Sequence, residues 1–407
     1  MEAPINKVNS SNAGMGSKKN GSAGSAGSAG GANSNSLIDN IKGSFNHLLD
    51  SEKMGNTINS IKEGVVGQNN YLSVNYFLLV SLVITIILVI LLYLFSNSYR
   101  TSNALTNISA YYQYQTLSNY PYSKKNSSVK LSDCYISSSY NSGHVGWQQF
   151  DYVNELMLPA ILKAGARYID LTIFNSEFGV NAFPVVSSGY MSGEWKMTLN
   201  AISFDDVCNQ ISMNAFVSGT TGSDPGVPNP EDPLFIGLNL NTNSNIYCLD
   251  KIADIILYYF RKRLVDVRYS FQQENVADMT LNYLKGKVVI FASNGFQGSK
   301  LEELVNYSWD NSSNMQRIHY SSLMVPNFNI DNLIKYNKTG ITIVIPHQEG
   351  DIMTSNYNPT LAWKCGCQFV AENFQYIDSA MDIYITTFKN NSLKIKSNSL
   401  LSSKLKS

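Results

Sequence analysis

The chain has 407 residues, 44% hydrophobic and only 15% charged, so it can bury the core of one large domain or two ordinary ones. Its formal net charge is +0, which removes the electrostatic case for a polyanionic partner and predicts no nucleic-acid binding. Five cysteines, Cys134, Cys208, Cys248, Cys365 and Cys367, lack the paired spacing of a structural zinc site. Their odd number leaves at least one thiol free, and pairing among the rest stays open.

Residues 1–36 form a tail whose tract "GSKKNGSAGSAGSAGGANSNS" cannot bury enough apolar surface to offset its ordering entropy. Over 37–70, Ile38, Ile41, Phe45, Leu48 and Leu49, then Met54, Ile58, Ile61 and Val65, recur at helical spacing, which predicts amphipathic helices. "YFLLVSLVITIILVILLYLF", Tyr76 to Phe95, is an apolar run of about the 20 residues a helix needs to cross a hydrocarbon layer roughly 30 Å thick. Ser81 and Thr85 interrupt it, and a helix lets both hydroxyls bond its own carbonyls. A bilayer is therefore the first expected partner. Lys42, Lys53 and Lys62 before the run and Arg100 after it favour a cytoplasmic N-terminus. Asn-x-Ser/Thr triplets at Asn107, Asn126, Asn306, Asn311, Asn337 and Asn390 suit a secretory lumen on the other side. The expectation is a type II single-pass protein whose folded domain is non-cytosolic, with 96–130 as a linker.

From about Leu131 short apolar strands alternate with helical stretches. "ARYIDLTIF", "DPLFIGLNLN" and "GKVVIFAS" read as buried strands, whereas "SFDDVCNQISMNAF" and "LDKIADIILYYFRKRL" carry apolar residues at helical period. Asp205 and Asp206 open the first of these helices, where capping accounts for them. Strands alternating with helices over this length predict an α/β domain with parallel strands, closed as a barrel.

The order of the blocks goes further. "YISSSYN", "AGARYIDLTIFN", "FPVVSSGY", "DPLFIGLNLN" and "LKGKVVIFAS" resemble, one after another, the X region of eukaryotic phosphoinositide-specific phospholipase C. "TSNYNPTLAWKCGCQFVAENFQYIDSAMDIYITTF" resembles its Y region. The resemblance implies a distorted TIM barrel, with an X-like half over 131–297, a variable linker over 298–330 and a Y-like half over 331–400.

It also implies a site, and the chain departs from that site throughout. The family uses two histidines as general base and acid, with calcium on an asparagine and three carboxylates to stabilise developing charge. Here Tyr140 and Ser188 stand at the histidine positions, and neither shuttles a proton near neutrality without strong tuning. Asn141 is kept and Asp170 replaces a glutamate, but Thr172 and Asn239 stand where two more carboxylates belong, which predicts weak or no calcium binding. The phosphate-binding lysines become Phe291 and Ser293, and an arginine and a tyrosine become Ile343 and Ile345. His144 lies near enough to Tyr140 to act as a substitute base in a rearranged loop, although a lone loop histidine is ordinarily a surface residue. Packing blocks are retained while polar ones are lost. The expectation is therefore a membrane-anchored phospholipase C-like pseudoenzyme, needing no cofactor and serving an unknown protein partner. The alternatives are a calcium-dependent phosphodiesterase with altered catalytic residues and a receptor that reuses the barrel mouth.

Overall fold

The computed structural model describes residues 56, 59, 70–123, 126–146, 151–176, 181–188, 198–219, 226–271, 274–310, 312–346 and 355–402. The expected tail, and the amphipathic helices of 37–70 apart from three single positions, lie outside the described residues. The chain divides into two compact units, Met1–Leu88 and Val89–Ser407.

In the first unit the described chain, apart from Asn56 and Asn59, is the start of helix α1, Asn70–Tyr112, which contains neither glycine nor proline to break it. Its apolar part is long enough to cross a membrane by length and composition, and leucines such as Leu78 and Leu82 face outward. Thr85 donates to the carbonyl of Ser81 at 2.8 Å, the back-bond that keeps a hydroxyl satisfied in an apolar helix.

The second unit is a nearly closed barrel. Its strands are β1 (Cys134–Ser139), β2 (Tyr168–Asn175), β3 (Pro184–Val186), β4 (Ile202–Ser203), β5 (Leu234–Asn241), β6 (Val288–Ala292), β7 (Tyr307–Ser308), β8 (Met315–His319), β9 (Ile341–Ile345), β10 (Phe369–Glu372) and β11 (Leu393–Ile395). Eight of them run in the order β7-β6-β5-β2-β1-β10-β9-β8, every neighbouring pair parallel. The seam falls between β7 and β8. Short antiparallel strands extend the sheet, β3 beside β2 with β4 beyond it, and β11 beside β1.

Alternation along each strand sorts side chains into two cores. Tyr168, Phe235, Phe291 and Phe369 fill the barrel interior with rings 5.0 to 6.5 Å apart. Their strand neighbours Ile169, Ile236, Ile290 and Val370 point outward. The outward layer packs on helices α2 (Met157–Lys163), α3 (Phe204–Asn214) and α4 (Ile246–Phe260), among others. Ser203 caps α3, accepting from the backbone N–H of Asp205.

Two segments read as connections turn out to be structural. Residues 298–330, taken as a variable linker, supply β7 and β8, strands too short and polar for their periodicity to register. The 96–130 linker begins as the last turns of α1, where Ala104, Ile108 and Tyr111 are buried in the outer core. There Arg100 pairs with Asp151 at 2.6 Å, and Tyr111 donates to the carbonyl of Tyr376 at 3.0 Å. The chain then runs beside the segment leading to β11, with Thr116 N–H donating to the Lys389 carbonyl.

At the N-terminal end of the barrel, Lys396 is buried and donates to the carbonyls of Ser132 at 2.5 Å and Asn337 at 3.2 Å. Burial pushes its ammonium from the ordinary 10.5 down to about 8. Between those values the unfolded chain binds the extra proton, so the penalty is complete below pH 8 and is relieved as pH rises toward 10.5. Gln368 donates to the same two carbonyls, which keeps them satisfied without the lysine. Lys396→Met is expected to raise the thermal midpoint at pH 7. Melts of both proteins across pH 7 to 10 check this, and the gap between them should narrow as pH rises.

Candidate functional site

The resemblance places the site at the C-terminal ends of the strands, where loops rather than ladders set the side chains. After β1 the chain turns at Asn141, whose φ of +39° suits asparagine better than most residues. That turn is laced to β2: Ser142 N–H donates to the Asp170 carbonyl at 2.9 Å, and Asp170 N–H donates to the Ser142 hydroxyl at 3.1 Å. Tyr140 is buried, and its N–H donates to the Glu372 carbonyl.

On β2, Tyr168, Asp170 and Thr172 share the inward face at spacing two. In the register of β2 with β5, Asp170 faces Gly237 and Thr172 faces Asn239. Gly237 has no substitute there, because a Cβ would sit 2.1 Å from the Tyr168 hydroxyl oxygen. The space lets that hydroxyl donate to Asp170 Oδ1 at 3.0 Å. Asp170 Oδ2 is held by Arg317 Nη2, also at 3.0 Å.

Arg317 comes from β8, where it lies opposite Ile343. Its side chain is 8% exposed and that of Asp170 is 0% exposed, so the pair is shielded from water and salt. The guanidinium lies 4.9 Å from the Trp309 ring centroid and 6.0 Å from that of Tyr140. Burial alone would lower the Arg317 pKa, but Asp170, Tyr168 and Tyr140 raise it above its ordinary value. Tyr168 is driven well above its own range by burial and by Asp170.

The other expected positions are dispersed in role. Thr172 donates to Asn141 Oδ1 at 3.3 Å, and Asn239 stays half-buried on β5. Ser188 follows β3, buried, with its N–H toward Thr198 Oγ1 at 3.4 Å. Phe291 belongs to the aromatic stack of the interior, and Ser293 accepts from the Leu240 N–H at 2.7 Å, a staple between strands. Ile343 is fully buried and Ile345 nearly so at the end of β9. His144 departs from the surface position expected of a loop histidine: it is 1% exposed, with Nδ1 3.2 Å from the Asn141 carbonyl. The loop folds it inward because Asn141 and Gln375 bond its backbone.

Two residues escaped the sequence reading. Arg317 sat inside the presumed linker, although Met315, Arg317 and His319 alternate as a strand face does. Glu372 ends β10 as a charged residue in an apolar run; it is fully buried, its carboxyl raised well above the usual range by burial. It accepts from the Tyr357 N–H at 3.4 Å.

Residues 127–294 match the family model for the phosphatidylinositol-specific phospholipase C X domain, and 284–394 match that for the Y domain. This chain belongs to the phosphatidylinositol-specific phospholipase C family. Human inactive phospholipase C-like protein 2 is 43% identical over 65 residues, 16% of this chain and 6% of the relative. Bovine 1-phosphatidylinositol 4,5-bisphosphate phosphodiesterase beta-1 is 40% identical over 58 residues, 14% of this chain and 5% of the relative. The crystal structures of PLC21 from S. officinalis and L. pealei superpose with TM-scores of 0.54 and 0.52 at 19% and 18% identity. Each covers 69% of this chain, which spans 38% and 39% of their lengths.

Calcium, the ion that the resemblance implies, is poorly matched by the four expected positions, all among the described residues. It requires six to eight oxygens with net negative charge. Here the one carboxylate among Asn141, Asp170, Thr172 and Asn239 already holds a guanidinium and a phenol. Removing one member of a buried pair leaves the other charge stranded, at a cost of about 3–5 kcal/mol. Arg317→Met and Asp170→Asn are each expected to lose about that much in urea unfolding. The double variant should recover a large part of it, a coupling that a double-mutant cycle reads directly.

Proposed function

We propose that the chain is a phospholipase C-like barrel without phospholipase C chemistry, tethered to a bilayer through Tyr76–Phe95 and serving as a binding or structural component for a protein partner. The observation that carries this reading is the engagement of both Asp170 oxygens by Arg317 and Tyr168. Tyrosine and serine at the histidine positions support it, since proton transfer by one positioned catalyst contributes roughly 10²- to 10⁴-fold. The apolar length of α1 supports the tether. A membrane-bound scaffold needs the shape of the barrel and not its reaction, which agrees with the retention of interior packing around Phe235, Phe291 and Phe369.

Among the described residues, Arg317 is the cation that the structure adds to the sequence reading of the phosphate site. It is matched by Asp170, so it brings no net charge to a phosphorylated headgroup. The full chain in detergent, assayed with calcium on phosphatidylinositol and its phosphates, is expected to hydrolyse them at background. Calcium-dependent turnover lost on Asp170→Asn would contradict the proposal, and turnover lost on His144→Ala would assign the reaction to that histidine. Vesicles with phosphoinositides should capture the chain no better than neutral ones at physiological salt.

A further inference from the structure

The acceptor triplets that suit a secretory lumen in the sequence look different once folded. Asn337 is 1% exposed; its Nδ2 donates to the Cys365 carbonyl at 2.9 Å and its Oδ1 accepts from the Thr342 hydroxyl at 2.6 Å. Asn306 is 5% exposed; its Nδ2 donates to the Tyr269 carbonyl at 2.8 Å and its Oδ1 accepts from the Ile290 N–H at 2.8 Å. Ser308, the third residue of that triplet, is wholly buried. A glycan is bulky and needs solvent, so neither amide can carry one inside this barrel. Glycan transfer in the lumen acts on the entering chain, before burial can protect these amides. A barrel made there would have to escape modification at both positions to fold.

The cysteines point the same way independently. All five are free and buried. Burial raises the thiols of Cys134, Cys208 and Cys367, which suits small apolar packing residues rather than bridges. Five unpaired thiols entering an oxidising compartment would meet disulfide exchange before they were buried, whereas a reducing one leaves them intact. Flanking charge does not oppose this. Within about 15–20 residues of the apolar run there is one basic residue on each side, Lys62 and Arg100.

We infer that the barrel folds and works on the cytosolic, reducing face of its membrane, with the Gly/Ser-rich tail on the opposite face, the reverse of the orientation the triplets suggest when unfolded. Its partner is then a cytosolic-face protein, and Asn306 and Asn337 are packing residues rather than modification sites. The inference rests on the tether proposed above.

The test is translation of the full chain, with an epitope after Ser407, into sealed endoplasmic-reticulum microsomes. Carbonate washing reports the tether alone: retention supports it, and release overturns it whatever the other readouts give. Added protease and endoglycosidase report the side. The expected result is loss of the epitope without detergent, and a mobility that Asn126→Gln and Asn390→Gln leave unshifted, any endoglycosidase-sensitive glycan being removed instead by Asn9→Gln and Asn20→Gln in the tail. A protected epitope, with an endoglycosidase-sensitive band that shifts on Asn390→Gln, an exposed triplet, would overturn the inference.

Discussion

The arrangement of this barrel depends on the pair between Arg317 and Asp170. Two strands far apart in sequence, β2 and β8, place opposite charges in a space walled by aromatic rings. A buried charge is costly unless it is matched, and each member of this pair is the other's match. Three neighbouring residues accommodate the pair. Tyr168 fills the second oxygen, Gly237 leaves room for Tyr168, and Asn141 turns the loop so that its own backbone N–H approaches the carboxylate at 3.4 Å. Where the resemblance implies a divalent cation, Asp170 is bonded to a guanidinium.

The pair bears on the neighbouring positions that the resemblance singles out. With the guanidinium in place, further carboxylates at Thr172 and Asn239 would no longer be needed to balance an ion, and a hydroxyl and an amide bring no unmatched charge. Phe291, where the resemblance expects a lysine, completes the ring stack with Phe235 and Tyr307 instead of facing a ligand. Ile343 and Ile345, on β9, belong to the same interior apolar cluster.

The fold was legible where periodicity and block order agreed. "ARYIDLTIF" covers all of β2 but its last residue and "DPLFIGLNLN" contains β5, because parallel strands buried on both faces read as continuous apolar runs. β7 and β8 were not legible: two residues carry no period, and "MQRIH" mixes charge with apolar positions. Arg317 went unseen for the same reason, and because its partner is 147 positions away, a contact no local pattern encodes. Glu372 could have been noticed as a carboxylate inside "FVAENF", but its environment depends on Tyr357 and the closing of the barrel. His144 looked like a surface residue since loop position says nothing of what covers a loop.

The central claim is that Arg317 replaces calcium, and direct calorimetric titration of calcium into the full chain in detergent tests it without reference to any substrate. No saturable heat is expected up to about 1 mM, the weak limit of natural calcium modules. A stoichiometric micromolar site that disappears on Asp170→Asn would contradict the account.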